Sequence, residues 1–379
     1  MSEWKKCPIG EVVTLRQGFA INAKSKHYMS KEETSLPLLR IADMKNGTKE
    51  VFVKEEIPQR FIAHPEDIIY TRTGNVGLVF RNNYGVMHNN CFSVTPNDAD
   101  ELSRDFLYYA LQNKTFFDTA NALARGAAQP DLPHTSFNSI EFAYPSLFVQ
   151  ERIAYILSRY DSLIENYQKQ IKLLEEAAQR LYKEWFIDLH FPEHENTNII
   201  DGVPEGWEKK KVGEVIAKVP RSKQIPTKDY QNEGAIPIID QSRDYIAGYT
   251  DDIESRVESN EPYIVFGDHT RILKYVPFPF AKGADGTQLI MSNNLDLMPQ
   301  CLLFTSLVSV DLSNYSYARH FKYLKEEEIL VPTASIANAF SKHVAKWYAK
   351  IQLNRKQIRL LTEARDRLLP KLMSGEIEI

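Results

Sequence analysis

Trp4-Lys5-Lys6-Cys7-Pro8-Ile9-Gly10-Glu11-Val12-Val13 and Trp207-Glu208-Lys209-Lys210-Lys211-Val212-Gly213-Glu214-Val215-Ile216 share a Trp, a Gly-Glu step and the apolar residues around it, at a constant offset of 203. Leu36-Pro37-Leu38-Leu39 is echoed by Ile236-Pro237-Ile238-Ile239. Further along, Lys169-Gln170-Ile171-Lys172-Leu173-Leu174-Glu175-Glu176-Ala177 matches Lys356-Gln357-Ile358-Arg359-Leu360-Leu361-Thr362-Glu363-Ala364 at an offset of 187, and Arg180-Leu181 keeps that step to Arg367-Leu368. One such match could arise by chance. Two matched ends in the same order identify a long internal repeat, and the difference between the offsets places the variation in length in the middle of each copy. A shared scaffold around a variable region has this signature.

The rest of the chain is consistent with two ordinary domains plus extended structure. Its 379 residues are 43% hydrophobic, enough for real cores. The first residues are polar, with no apolar stretch behind the lysines, so no signal peptide is expected. No run approaches the ~20 apolar residues that span a bilayer, which predicts a soluble, cytoplasmic protein without a membrane partner. Cys7, Cys91 and Cys301 are far apart in sequence, which excludes a CxxC zinc pattern and predicts reduced thiols. The net charge of −4 is unevenly spread. From Ser335 onward nine Lys/Arg face four Asp/Glu, whereas residues 149–198 carry six against nine. Phosphate binding needs a local positive surface rather than a positive total, and the weak total suggests that a partner supplies part of any DNA grip.

Residues 1–146 and 192–332 read as globular α+β domains. Asp67–Arg72, Leu78–Phe80, Tyr263–Phe266, Leu289–Met291 and Cys301–Phe304 are strand candidates, and a helix is expected near 101–118. Residues 147–191 and 333–379 read as two long helices, each following a proline (Pro145, Pro332). The first carries apolar residues at steps of three and four from Ile153 to Trp185 and should stop at Pro192. The second runs from Phe340 to Leu372, with Pro370 expected to kink or end it and Gly375 as a stop. A 40-residue helix is about 60 Å long. Alone it leaves its stripe wet, so the two are expected to pair antiparallel as a coiled coil, holding the domains apart about a pseudo-twofold axis. Packing of each helix on its own domain is the plainer alternative.

These features resemble the specificity subunit of type I restriction-modification enzymes. The resemblance rests on Gly206-Trp207 with Gly213-Glu214 (the first copy lacks the Gly before Trp4), on Pro145 with Gln150-Glu151 before the first long helix, and on the ending Leu369-Pro370-Lys371-Leu372-Met373-Ser374-Gly375-Glu376-Ile377. Phe266–Arg271 followed by Phe280–Gly286 also resembles one class of that family's recognition domains. The stretch Thr333-Ala334-Ser335-Ile336 departs from the pattern, lacking the Gln-Glu pair. The resemblance implies a non-catalytic subunit with no cofactor of its own. Each of two target-recognition domains would read one half of a bipartite double-stranded DNA sequence. The spacer helices would fix the gap and dock two methyltransferase subunits. S-adenosylmethionine and ATP would belong to partner subunits, and a restriction (translocase) subunit could join the complex.

Base reading needs paired hydrogen-bonding groups on loops that can enter a groove. In the first domain Arg72, Thr73 and Asn75 lie on a sharp turn after a strand, and Arg125 and Gln129 lie among small residues that allow close approach. In the second domain the candidates are Asp268, His269, Thr270 and Arg271, then Lys282 and Asp285, then Tyr317 and Arg319. An ordinary turn with solvated charges, or a buried Tyr–His cluster around 315–322, would present the same residues. No phosphate-binding loop, dinucleotide fingerprint, Asn/Asp-Pro-Pro-Phe/Tyr run or nucleophile elbow occurs. The Gly-Asp-His run at 267–269 has no second cluster at ligand spacing, so no metal is expected. The rival readings are a coiled-coil scaffold without DNA recognition, and a specificity subunit serving a methyltransferase-only or type IIB-like system.

Overall fold

The two ends of each repeat are hydrogen-bonded to one another. In the computed structural model, which describes residues 4–283, 285–315 and 319–379, Lys5–Pro8 pairs antiparallel with Glu141–Tyr144, Lys5 opposite Tyr144 and Pro8 opposite Glu141. Glu208–Lys211 pairs with Glu328–Val331 in the same way, Glu208 opposite Val331 and Lys211 opposite Glu328. The sequence offsets of 203 and 187 carry the first pair onto the second residue for residue. Each copy is therefore a closed excursion that starts and finishes on one two-stranded ribbon before its long helix. The Leu-Pro and Ile-Pro segments also occupy matching places. Leu38–Leu39 runs parallel to Val86–Met87, and Ile238–Ile239 parallel to Ala281–Lys282.

The fold is α+β, and the chain divides into two compact units. One is Met1–Glu165 with Ile358–Ile379, and the other is Asn166–Gln357. In the first, an antiparallel sheet orders Val13–Gln17, Cys91–Pro96, Ile68–Thr71 and Val79–Phe80. Its core centres on Tyr70, Phe92, Phe106, Tyr109 and Phe137, all essentially inaccessible. Each such side chain stabilises the fold by about 1.5–3 kcal/mol of apolar transfer. Ile153, Ala154 and Leu157 of the first long helix and Leu372 and Met373 of the last belong to the same core. The helix expected near 101–118 is broken in two, Arg104–Ala110 and Lys114–Leu123. Ser103 caps the first of these, accepting the Phe106 N–H.

In the second unit, Leu273–Val276, Tyr263–Gly267 and Thr287–Ile290 form an antiparallel sheet. The strand expected at Cys301–Phe304 is instead part of a helix, Gln300–Ser309. Cys301, Leu302, Leu303, Thr305, Ser306 and Leu307 are all buried. A helix covered on nearly every side has no polar face to reveal its period, so a four-residue apolar run reads equally as a strand.

The first long helix is Leu147–Tyr182, continued by one wider turn, Lys183–Ile187. It stops short of Pro192 because Leu189 turns to a positive φ of 60°. Gln150 anchors its start. The buried carboxamide donates to the carbonyls of Pro145 and Glu101 and accepts the Ser103 N–H. The last helix is Ala334–Met373. It runs three residues beyond Pro370, which forfeits only one late hydrogen bond, and Gly375 at φ 72° follows its end.

Both units contain both helices, and in each unit these run antiparallel. In the first unit Asp161 meets Arg365 at 2.7 Å, while earlier residues around Ile153 share a core with later ones around Leu372. In the second, Gln170 meets Asn354 at 3.1 Å, and Tyr182 and Trp185 pack on Phe340. The expected antiparallel pairing of the two helices holds within each unit. The helices pair, but polar contacts interrupt the apolar seam, and their ends are built into domain cores. Among the described residues no helix is long and apolar enough to cross a membrane.

Candidate nucleic-acid interface

In the first unit the fold brings the two candidate loops of that domain together. Arg72 forks onto Asp131, Nε to Oδ1 at 3.2 Å and Nη2 to Oδ2 at 2.7 Å, and Nη1 donates to Gln17 at 3.3 Å. The Thr73 hydroxyl donates to the same carboxylate at 2.6 Å. Backbone bonds join the loops as well: Leu132 N–H to the Arg72 carbonyl, Gly74 N–H to Pro130, and a reciprocal pair between Arg125 and Asp131. The Asp131 carboxyl sits below its ordinary pKa; burial alone would raise it, and Arg72 and Thr73 override that effect. The free guanidinium expected at position 72 is thus already committed, and Arg72 holds the site together. The Arg125 side chain is exposed on the same loop.

Thr73, Asn75 and Gln129 line a cleft of about 530 Å³, together with Arg40, Lys45, Asn46, His88 and Asn90. The last five escaped sequence reasoning. Arg40 is held by Asp43 at 2.6 and 3.0 Å and by Glu50 at 2.6 Å. Asp43 is 3% exposed and accepts the Thr48 hydroxyl, so the short helix Ile41–Asn46 is pinned from beneath. The bond from Arg40 keeps the Asp43 carboxyl below the usual carboxylate range. His88 accepts the Asn90 N–H on Nδ1 at 3.2 Å, and burial, with Arg40 adding to it, lowers its pKa. It therefore faces the cleft as neutral imidazole. Gly18 supports this loop from behind, because a Cβ there would meet the His88 carbonyl at 2.2 Å. The only local signal for His88 and Asn90 was a polar island, His88-Asn89-Asn90, between two buried strands.

The second unit repeats the backbone plan with different side chains. Arg72 N–H donates to Asn90 at 2.8 Å and its carbonyl accepts from Leu132. Likewise Asp268 N–H donates to Gly286 at 2.7 Å and its carbonyl accepts from His320 at 3.0 Å. Asp268 thus takes the place of Arg72, and Arg319, the residue before His320, that of Asp131. The expectation that Asp268 faces DNA is corrected by its 4% exposure and its carboxylate, which accepts the Phe321 N–H at 2.7 Å and caps the helix His320–Glu326. Arg271 adopts a φ of 61° and donates through Nη2 to the Tyr315 carbonyl. His269 and Thr270 are exposed but tied by backbone and hydroxyl to Gln241, whose amide reaches the Asp285 carbonyl. Asp285 and Arg319 are exposed. Lys282 is half-buried, its pKa lowered by burial against the opposing pull of Asp285. It lines a separate cleft of about 350 Å³ with Arg221, Gln224 and Gln288, which were also missed. Tyr317 lies outside the described residues. Among the described residues no group of three His, Cys, Asp or Glu is placed to hold a metal ion.

The family model of the type I restriction modification DNA specificity domain matches residues 1–176. The type I restriction enzyme MjaIX specificity subunit of Methanocaldococcus jannaschii is 30% identical over 314 residues, covering 76% of this chain and 72% of that one. The MjaVIII specificity subunit of the same organism is 28% identical over 221 residues, covering 56% and 49%. The crystal structure of the type I restriction-modification S subunit from M. genitalium shares the fold at a TM-score of 0.60 and 18% identity, over 98% of this chain and 96% of that one. With its repeated frame, its paired helices and these relatives, the chain belongs to the family of type I restriction-modification specificity subunits.

Proposed function

We propose that this chain is the DNA-reading subunit of a type I restriction-modification complex, each of its two domains recognising one half of an interrupted duplex target. The observation that carries this reading is the cleft of the first domain. Four separate segments deliver carboxamides, an imidazole and cations to one surface, on loops braced by Arg72–Asp131 and Arg40–Asp43. The matching backbone frame in the second domain, with different side chains on it, supports a second, different half-site. Thr73, Asn75 and Gln129 in the first domain, and His269, Thr270, Lys282, Asp285 and Arg319 in the second, are the assigned contacts. Arg72, Asp268 and Arg271 position the loops, and Arg125 suits phosphate.

The chain itself performs no chemistry in this reading. S-adenosylmethionine and ATP are bound by partner subunits in the cytoplasm. Two methyltransferase subunits dock on exposed side chains of the first long helix such as Phe148, Tyr155 and Leu173, and a restriction subunit joins through the complex. Methylome sequencing of cells with and without the gene tests the proposal. A split methylated motif that disappears on deletion is expected. An unchanged methylome, with no duplex binding by the reconstituted complex, would leave the scaffold reading instead.

A further inference from the structure

Resting on that reading, we infer that the first domain selects adenines, through the side-chain amides of Asn46, Asn75, Asn90 and Gln129. The four line one cleft from four different segments. Among the described residues none of these amides is spent on a hydrogen bond within the protein. A carboxamide offers one acceptor and one donor side by side. Adenine presents the complement in the major groove, an N7 acceptor next to an N6 amino donor, so Asn or Gln can bind it through both atoms. Guanine presents two acceptors there and is read by a guanidinium fork.

Two arginines at the cleft, Arg40 and Arg72, are already engaged, and the exposed Arg125 does not line it. Arg40 places Nε and Nη2 on Asp43 and Glu50. Arg72, directly beneath the turn, places Nε and Nη2 on Asp131 and Nη1 on Gln17. The cleft therefore keeps its amides for bases while withholding its guanidiniums. Lys45, exposed beside Asn46, offers a point charge suited to the backbone rather than to a base edge.

The test uses the reconstituted complex with its methyltransferase partners and maps its motif by methylation sequencing. Asn46→Ala, Asn75→Ala, Asn90→Ala and Gln129→Ala should each lose discrimination at an A·T position of one and the same half-site. The loss should be about five-fold to one-hundred-fold, and the other half-site should be unaffected. Asn75→Asp should do more, moving preference at its position toward C·G, because a carboxylate accepts from the cytosine amino group; loss of a merely structural contact would not redirect the choice. If the motif is split and gene-dependent but the half altered by these variants is discriminated at G·C pairs, the inference is overturned and the DNA-reading role stands. If the variants weaken both halves equally or change nothing, the inference is overturned as well. A methylome indifferent to deletion of the gene overturns both.

Discussion

Replacing Asp161 by Ala removes the hub of a polar cluster that ties three elements of the first unit. The carboxylate is 9% exposed. It accepts the Tyr109 hydroxyl at 2.6 Å, Arg81 Nη2 at 3.2 Å and Arg365 Nη1 at 2.7 Å. The first two donors belong to the recognition domain and the third to the last helix. Removing one partner of a buried ion pair costs about 3–5 kcal/mol. Here the two guanidiniums keep 20% and 25% of their side-chain surface in contact with water, and Arg81 also rests on the Tyr108 ring at 4.1 Å. Solvent screening therefore brings the expected cost to the low end, about 2–3 kcal/mol. For a unit of between 150 and 250 residues that is a fall of roughly 4–12 °C in Tm. Differential scanning calorimetry of the full chain reads it, with Asp161→Asn expected to fall between wild type and Ala. Arg365→Ala should be non-additive with Asp161→Ala, since both break one contact. A shift below about 2 °C, or strict additivity, would refute the view that this cluster fixes the domain on its helices.

Asp131→Ala should release Arg72 and the two loops it joins, reducing methylation dependent on one half-site by about ten-fold in a methylation assay while sparing the other; Arg72→Lys with Asp131 intact should show a similar loss, because an ammonium cannot fork. Gly18→Ala should displace the His88–Asn90 loop and lower stability by about 1–3 kcal/mol, read by thermal unfolding. Burial lowers the pKa of both His88 and His134, so these groups leave stability untouched above the ordinary imidazole value near 6.5. Stability should then be lost as pH falls below that value toward their depressed folded-state pKa values, and His88→Gln should flatten part of this slope in unfolding midpoints measured against pH. Asp268→Ala should cost about 1–2 kcal/mol by uncapping His320–Glu326, with Asp268→Asn milder.

The frame of this protein was legible because repetition is independent of propensity. Trp4 and Trp207 open ribbons whose register follows directly from the two offsets. The long helices were legible from their stripes, but the seam between them was not, because Asp161, Gln170, Asn354 and Arg365 look like solvated residues until their partners are known. Cys301–Phe304 reads as a strand since burial on nearly every side of its helix erases periodicity. Turn chemistry flagged the loops at 71–75 and 268–271, and these do occupy equivalent places. Which of their side chains stay free was decided elsewhere, by Asp131 59 residues on from Arg72 and by a helix start 53 residues on from Asp268. Arg40, Asn46 and Asn90 went unnoticed for the same reason: a cleft assembled from distant segments leaves no spacing to read.

The ribbon that closes each copy has a consequence for how such a gene can change. Because Lys5 lies opposite Tyr144, and Glu208 opposite Val331, everything between departs from and returns to neighbouring positions. A stretch of coding sequence between those points can be traded for one of another length without moving the helix that follows, as the two copies in this chain already demonstrate. New target preferences can therefore be acquired by shuffling whole inserts, one at a time, rather than by gradual remodelling of contacts.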